Sequence, residues 1–349
     1  MASLGLRPTR AHSPPPPHFL LLLLLLCAGF AAGQDQCDWH GRARPGAAAL
    51  PVIRVDPSGR SGNFTRVQAA IDWVPSQNQR WVCIYVMEGT YREKVVIPFE
   101  KPFIILKGRG KRKTEIVWDD HETVLQSPTF ASLADNIVVK SMSFRNSYNN
   151  PSNDNPRTPA VAAMVAGDKS YFHRVGFWGL QDTLWDVHGR HYFKSCTIQG
   201  AVDFIFGEGQ SIYEGCSISV LGNALAPGLP GFITAQGRNN QHDMNGFVFK
   251  NCNVFGYGSA YLGRPWREYA RVLFYYSNFT DVVNPQGWDA WLATGHEEQL
   301  TFAEYGCYGP GAAVNGRVSW LRNLDVLSVE RLTSLSFVDS QGWIASAPF

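Results

Sequence analysis

Short apolar runs broken by Gly, Asp and other turn-forming residues recur along most of this chain, a pattern that reads as short strands. The clearest stretch is His173–Gly207, HRVGFWGLQDTLWDVHGRHYFKSCTIQGAVDFIFG. From Ile137 onward one unit repeats. SMSF ends at Phe144, RVGF at Phe177, SCTI at Ile198, GCSI at Ile218, NCNV at Val254 and YSNF at Phe279, at intervals of 33, 21, 20, 36 and 25 residues. Roughly 20–25 residues make one coil of a β-solenoid, and the longer intervals are coils with inserted loops. A β-sandwich with evenly spaced strands is the alternative. The solenoid is preferred because Cys196, Cys216 and Cys252 share one slot of the repeat. Stacked coils place such residues in ladders about 4.8 Å apart. A cysteine ladder in the core is the simple meaning of that slot, and a Cys196–Cys216 disulfide the sharper one. Val161, Phe177, Ile198, Ile218 and Val254 are expected to share one continuous core.

Upstream, Pro51–Asp56 alternates like a strand. Asn63 is placed to cap a short helix with the apolar face Val67, Ala70, Ile71 and Val74, stopped by Pro75. WVCIYVMEG (Trp81–Gly89) and PFIILKG (Pro102–Gly108) read as buried strands.

Two acids stand in apolar surroundings within the central stretch. Asp182 adjoins Leu184 and Trp185, and Asp203 lies among Val202, Phe204, Ile205 and Phe206. A carboxylate in such a place is costly unless paired or used. The two are 21 residues apart, the same as the interval from Phe177 to Ile198. In a solenoid they occupy matching places on adjacent coils, with backbones roughly 5 Å apart. Like charges that close resist joint ionisation, so one pKa rises and that group can donate a proton. Turn caps at coil corners are the plainer explanation of both acids.

The first 33 residues read as a secretory signal peptide: Arg7 and Arg10, a Leu-rich core from Phe19 to Cys27, then Ala31-Ala32-Gly33 as a small-residue cleavage site. Residues 34–50 look like a loose leader ahead of one domain over 51–349. A secreted, extracellular protein follows, with no membrane partner. Losing two arginines and no acid takes the formal charge of +2 to zero, so nothing global points to nucleic acid. The run KGRGKRK (Lys107–Lys113) reads first as a solvated turn, with attraction to an acidic polymer as the lesser reading. Removal of Cys27 leaves six cysteines without a CxxC pair, which disfavours zinc. Asn63 and Asn278 head N-glycosylation sequons.

GLQDTLW (Gly179–Trp185), VDFIFG (Val202–Gly207), TAQGR (Thr234–Arg238), YLGRPW (Tyr261–Trp266) and NPQGW (Asn284–Trp288) resemble the plant and bacterial pectinesterases, as does GTYREKV (Gly89–Val95). The resemblance runs from about Val52 to the C-terminus. It implies a single-domain right-handed parallel β-helix, all-β apart from the short N-terminal helix, in the plant form without an inhibitor-like domain. It also implies hydrolysis of galacturonate methyl esters in cell-wall pectin, with no metal and no cofactor. Methyl-esterified pectin is the implied partner, with a proteinaceous inhibitor as a second, and a monomer is expected.

The family's roles carry over as follows. Asp203 matches the nucleophile, Asp182 the general acid and Gln181 an oxyanion-hole donor. Arg264 matches the cation that holds Asp203 ionised and aimed, with two hydrogen bonds. Trp266 would form part of the sugar platform, Trp185 and Trp288 are cleft walls on the same reasoning, and Ser147 is a substrate-side hydroxyl. With eleven tryptophans in the chain, some must be core. Two departures stand out. The family segment Q-A-V-A-L is PAVAA here, so Pro159 replaces a second oxyanion glutamine, and F-x-N-T is Phe144-Arg145-Asn146-Ser147. Pro159 suggests the alternative of a catalytically weakened, pectin-binding or inhibitor-sequestering relative. A pectate lyase would need clustered acids for Ca²⁺ and a polygalacturonase several acids around a water, and neither pattern is evident.

Overall fold

The computed structural model describes Cys37, residues 50–149 and residues 155–348. The signal peptide expected over 1–33 lies outside the described residues, as does the leader apart from Cys37 and Leu50. Residues Leu50–Pro348 belong to one unit. Their strands form three sheets of ten, eight and seven strands, with every neighbouring pair parallel. The chain visits the sheets in rotation. Ile137–Lys140, Ser143–Asn146 and Ala163–Val165 make one coil, and Ser170–His173, Gly176–Trp178 and Leu184–Asp186 the next. This is a parallel β-helix, and crossovers of this kind are right-handed. The sandwich is excluded, because it needs antiparallel sheets.

The repeat read from the sequence is the register of the eight-stranded sheet. Phe144 pairs with Phe177, Phe177 with Ile198, Ile198 with Ile218, Ile218 with Val254 and Val254 with Phe279. Inserted loops leave at the corners, so unequal intervals do not disturb the ladder. Between the ten- and eight-stranded sheets the chain turns on single left-handed residues. Ser141, Arg174, Ser195, Asn251 and Tyr276 sit at φ between 44° and 55°, and Gly215 and Gly306 take the same place on other coils.

Inward positions stack coil upon coil. Phe172, Phe193, Tyr213, Phe249 and Phe274 form a ring stack with centroids 4.9, 4.6, 4.6 and 4.5 Å apart. Beside them the thiols of Cys196, Cys216, Cys252 and Cys307 are free. Each thiol donates to a carbonyl one coil back, at Phe172, Phe193, Tyr213 and Phe274. The ladder reading of the cysteine slot therefore holds, and the Cys196–Cys216 disulfide does not form. Burial raises the pKa of Cys196 and Cys216, which keeps both thiols protonated and inert.

Two expectations need correction, and one feature is added. Val161 is buried but leaves the main core, packing instead with Phe206 and Ala235 under an outer face. Asn63 does not cap the helix Val67–Trp73; it accepts from the Arg54 amide. The helix's first N–H groups, on Val67 and Gln68, are satisfied by the Glu93 carboxylate at 2.8 and 3.1 Å. That carboxylate is remote in sequence, so no local signal reveals it. Helices Val326–Thr333 and Ser336–Asp339, not foreseen, pack on the ten-stranded sheet. No helix among the described residues is long and apolar enough to cross a membrane.

Candidate active site

The site is built on the outer face of the seven-stranded sheet. Met164, Trp185, Phe206, Ala235 and Arg264 follow one another in register across it. Their side chains share one pleat, and Val161, Phe206 and Ala235 are buried there beneath Met164, Trp185 and Trp266. Trp185 stacks on Phe206 at 5.5 Å, and Trp266 meets Phe206 edge-on at 5.9 Å. The result is an apolar floor with aromatic faces, suited to the C–H faces of sugar rings.

Both acids stand at the corner where the chain enters this sheet. Gln181 bridges Val202 in parallel fashion, and the Asp182 amide donates to the Val202 carbonyl at 3.0 Å. Asp182 and Asp203 therefore occupy matching places on adjacent coils. Both have left-handed backbones, at φ 58° and 46°, a region that Asp tolerates better than most residues.

Arg264 extends from the strand Ala260–Pro265 to Asp203. Its Nε donates to one carboxylate oxygen at 2.8 Å and its Nη2 to the other at 2.6 Å. This is the fork geometry that fixes a carboxylate in one plane. The guanidinium is itself clamped, with its carbon 4.0 Å from the ring centroids of both Phe232 and Trp291. Stacking uses the faces of the guanidinium and leaves its edge for Asp203.

The electrostatics separate the acids. Burial raises the Asp203 carboxyl above its ordinary value, and the Arg264 bonds and charge oppose that rise. Asp182 is pushed up to about 8, first by burial and then by the Asp203 charge, with Arg264 opposing weakly. No donor among the described residues hydrogen-bonds the Asp182 carboxyl, so only the charge of Arg264 favours its ionised form. On raising the pH, Asp203 ionises first and Asp182 stays protonated through neutrality.

Gln181 stands next to Asp182 on the same corner. Its carbonyl accepts from the Ala160 amide at 3.3 Å. No described residue hydrogen-bonds its side-chain amide, which leaves that donor for a ligand. Pro159 is partly buried just before Ala160 and offers no donor. The nearby Asn155 side-chain amide is committed to the Tyr148 carbonyl at 2.9 Å. Ser147 lies at the corresponding corner of the preceding coil, its hydroxyl donating to the Trp118 carbonyl at 3.2 Å. Its neighbour Asn146 is the more consequential residue. Its buried amide reaches the carbonyls of Asp120, Ser127 and Val161, tying three segments together.

Trp288 is not a cleft wall. It is 1 % exposed, stacks on Phe302 at 4.6 Å and donates its indole N–H to Glu304. Trp291, three residues on, is the tryptophan that reaches the site. The spacing of NPQGWDAW offers two tryptophans, and only the fold decides which turns inward. Phe232 was likewise missed, being one apolar residue among many in its strand.

A family model described as Pectinesterase matches residues 53–341. A protein of Arabidopsis thaliana named "Probable pectinesterase 29" is 60 % identical over 310 residues, covering 88 % of this chain and 92 % of that protein. The pectin methylesterase from carrot superposes with a TM-score of 0.80 at 29 % identity, covering 87 % of this chain and 98 % of that one. A pectin methylesterase solved in complex with a hexasaccharide gives a TM-score of 0.73 at 25 % identity, covering 84 % and 97 %. The chain belongs to the pectinesterase family.

Proposed function

We propose that this protein removes methyl esters from galacturonate units of pectin with Asp203 as nucleophile and Asp182 as acid and base. The observation that carries the reading is the pairing of a clamped, bidentate Asp203–Arg264 carboxylate with a neighbouring acid held neutral to about pH 8. One Asp203 oxygen attacks the ester carbonyl carbon, and the Gln181 amide meets the charge developing on the carbonyl oxygen. As the bond to methoxide breaks, Asp182 gives up its proton and methanol leaves. The acyl group is then an anhydride on Asp203. Ionised Asp182 takes a proton from water, the resulting hydroxide attacks the acyl carbon, and Asp203 departs as carboxylate. Asp182 ends protonated and the product is a galacturonic acid. The direct test is methanol release from methyl-esterified pectin; a folded protein that releases none refutes the reading.

Arg264→Lys keeps the charge and loses the fork. It is expected to lower kcat about 10²-fold, by the weight of a misaligned charge in the site. The acidic limb of the pH–rate profile should also move upward, because burial of Asp203 would be less well opposed. An unmoved limb would contradict the contact as the source of Asp203's ionisation.

The chain's amino-terminal pattern supports secretion to the cell wall, with residues 51–349 as the catalytic domain acting as a monomer. Pro159 favours a second reading, a slowed or inactive relative that binds pectin or sequesters a proteinaceous inhibitor. Pro159→Gln separates the two. An oxyanion donor is worth about 10²–10³ in turnover, so the slowed enzyme should gain about 10-fold or more in kcat with little change in KM. A parent already as fast as its relatives and unimproved by the change shows that Gln181 suffices. Binding without turnover in both proteins establishes the inactive reading.

A further inference from the structure

The basic run Lys107–Lys113 has no part in the site described above, yet it forms a built pocket. We infer that this pocket, on the outer face of the eight-stranded sheet, binds de-esterified galacturonate, a uronate ring on Trp178 with its carboxylate among Lys111, Arg112, Lys113 and Arg145. The inference rests on the proposed reaction only for the identity of the acidic polymer at hand.

Lys111, Arg112, Lys113, Glu115, Arg145 and Trp178 line a cavity of about 300 Å³. Four cations there face one carboxylate, and Glu115 is already engaged by Arg145 at 3.0 Å. The cationic turn is held in place by its backbone. The Gly110 amide donates to the Ser141 carbonyl at 2.7 Å, and the Gly110 carbonyl accepts from Lys113 and Thr114, each at 2.9 Å. Gly110 has φ 142°, a conformation that other residues rarely take. Lys111 reaches over the sheet to the Thr197 hydroxyl at 2.6 Å and closes one side.

Trp178 supplies the platform. A Cβ on Gly176 would lie 2.7–2.9 Å from three atoms of its indole, so the ring rests directly on that glycine. Arg145 sits over the ring at 5.8 Å. A partly exposed indole beside the held side chains of Lys111 and Arg145 and the exposed cations Arg112 and Lys113 matches an anionic sugar: the ring stacks and the carboxylate pairs. A solvated turn would need neither the glycine cradle nor the fixed backbone. Trp178 stands four residues before Asp182, around the corner from the catalytic pair. A chain already de-esterified in the cleft has a holding point there, which disfavours release between turnovers.

The test uses the full mature chain, unmethylated oligogalacturonate and dextran sulfate as probes, and methyl-esterified trigalacturonate as a short substrate. Arg112→Glu with Lys113→Glu should weaken oligogalacturonate binding about ten-fold or more, since reversing two charges in one pocket exceeds the 1.4 kcal/mol of a decade. Turnover of the short substrate should stay within about two-fold, as neither residue touches the catalytic pair. Trp178→Leu keeps an apolar cover and removes the ring face, so it should weaken oligogalacturonate and spare dextran sulfate. Unchanged oligogalacturonate affinity in the charge-reversed protein overturns the site. Equal effects of Trp178→Leu on both probes overturn the uronate assignment. A protein that turns over nothing but still binds oligogalacturonate through these residues refutes the proposed reaction and leaves the pocket standing.

Discussion

Asp203→Asn is expected to lower methanol release on the order of 10⁴-fold or more, because an amide of the same shape cannot form the acyl anhydride. The fold should survive. Asn is isosteric, its carbonyl oxygen can still accept one bond from Arg264, and the guanidinium remains clamped between Phe232 and Trp291. Separating a partly buried ion pair still costs something, and a loss of about 1–3 kcal/mol in denaturant unfolding is expected. A second readout is independent of turnover. The Asp203 charge helps to hold Asp182 at about 8, so Asp182 should titrate at lower pH in the mutant. Near-normal turnover would remove Asp203 from the nucleophile's role. An Asp182 titration that does not move would mean that burial alone sets its value.

Asp182→Asn should also be inactive or nearly so, losing on the order of 10²–10⁴ with the acid that protonates methanol, and it should be more stable than the parent in alkaline solution. In the parent, activity should fall as pH rises through about 8, where the acid form disappears. The stability argument has the same origin. Below the ordinary value of 3.8 the carboxyl is neutral in both folded and unfolded chains. From there to about 8 the unfolded chain ionises the group and the folded protein does not, so the parent loses stability across that window. The amide has no such loss. An advantage on the order of 5 °C in melting temperature is expected at pH 9, shrinking toward zero at pH 4. Equal melting temperatures at both pH values would contradict the burial argument. Such a mutant would exhibit the usual exchange of stability for a strained, charged site.

The repeat was legible because coils keep their pleat. Phe144, Phe177, Ile198, Ile218, Val254 and Phe279 show the same face whatever loop lies between them. The acids were legible for the same reason, since a 21-residue separation without an insertion is one circuit. What escaped the sequence depends on contacts remote along the chain. Glu93 caps a helix 26 residues away from its own position. Val161 alternates like a core residue but faces outward, under the cleft floor. Trp288 and Trp291 are equivalent by composition, and the short 3₁₀ turn Trp291–Ala293 carries one toward Arg264 while the other remains in the core. The C-terminal helices cover the ten-stranded sheet, whose strands show no periodicity that announces a partner.

On the seven-stranded sheet, Ala163, Leu184 and Ile205 pair at successive steps of 21 residues, whereas Ile205 to Thr234 and Thr234 to Gly263 are steps of 29. One circuit thus acts as a gauge block. Between the two acids the circuit carries no inserted residues, while at later corners extra residues bulge outward. Longer corners can therefore rebuild the walls that a polymer meets while the carboxyl spacing stays as it is. Exchanging those corners between relatives is a route to altered substrate range that leaves the chemistry in place.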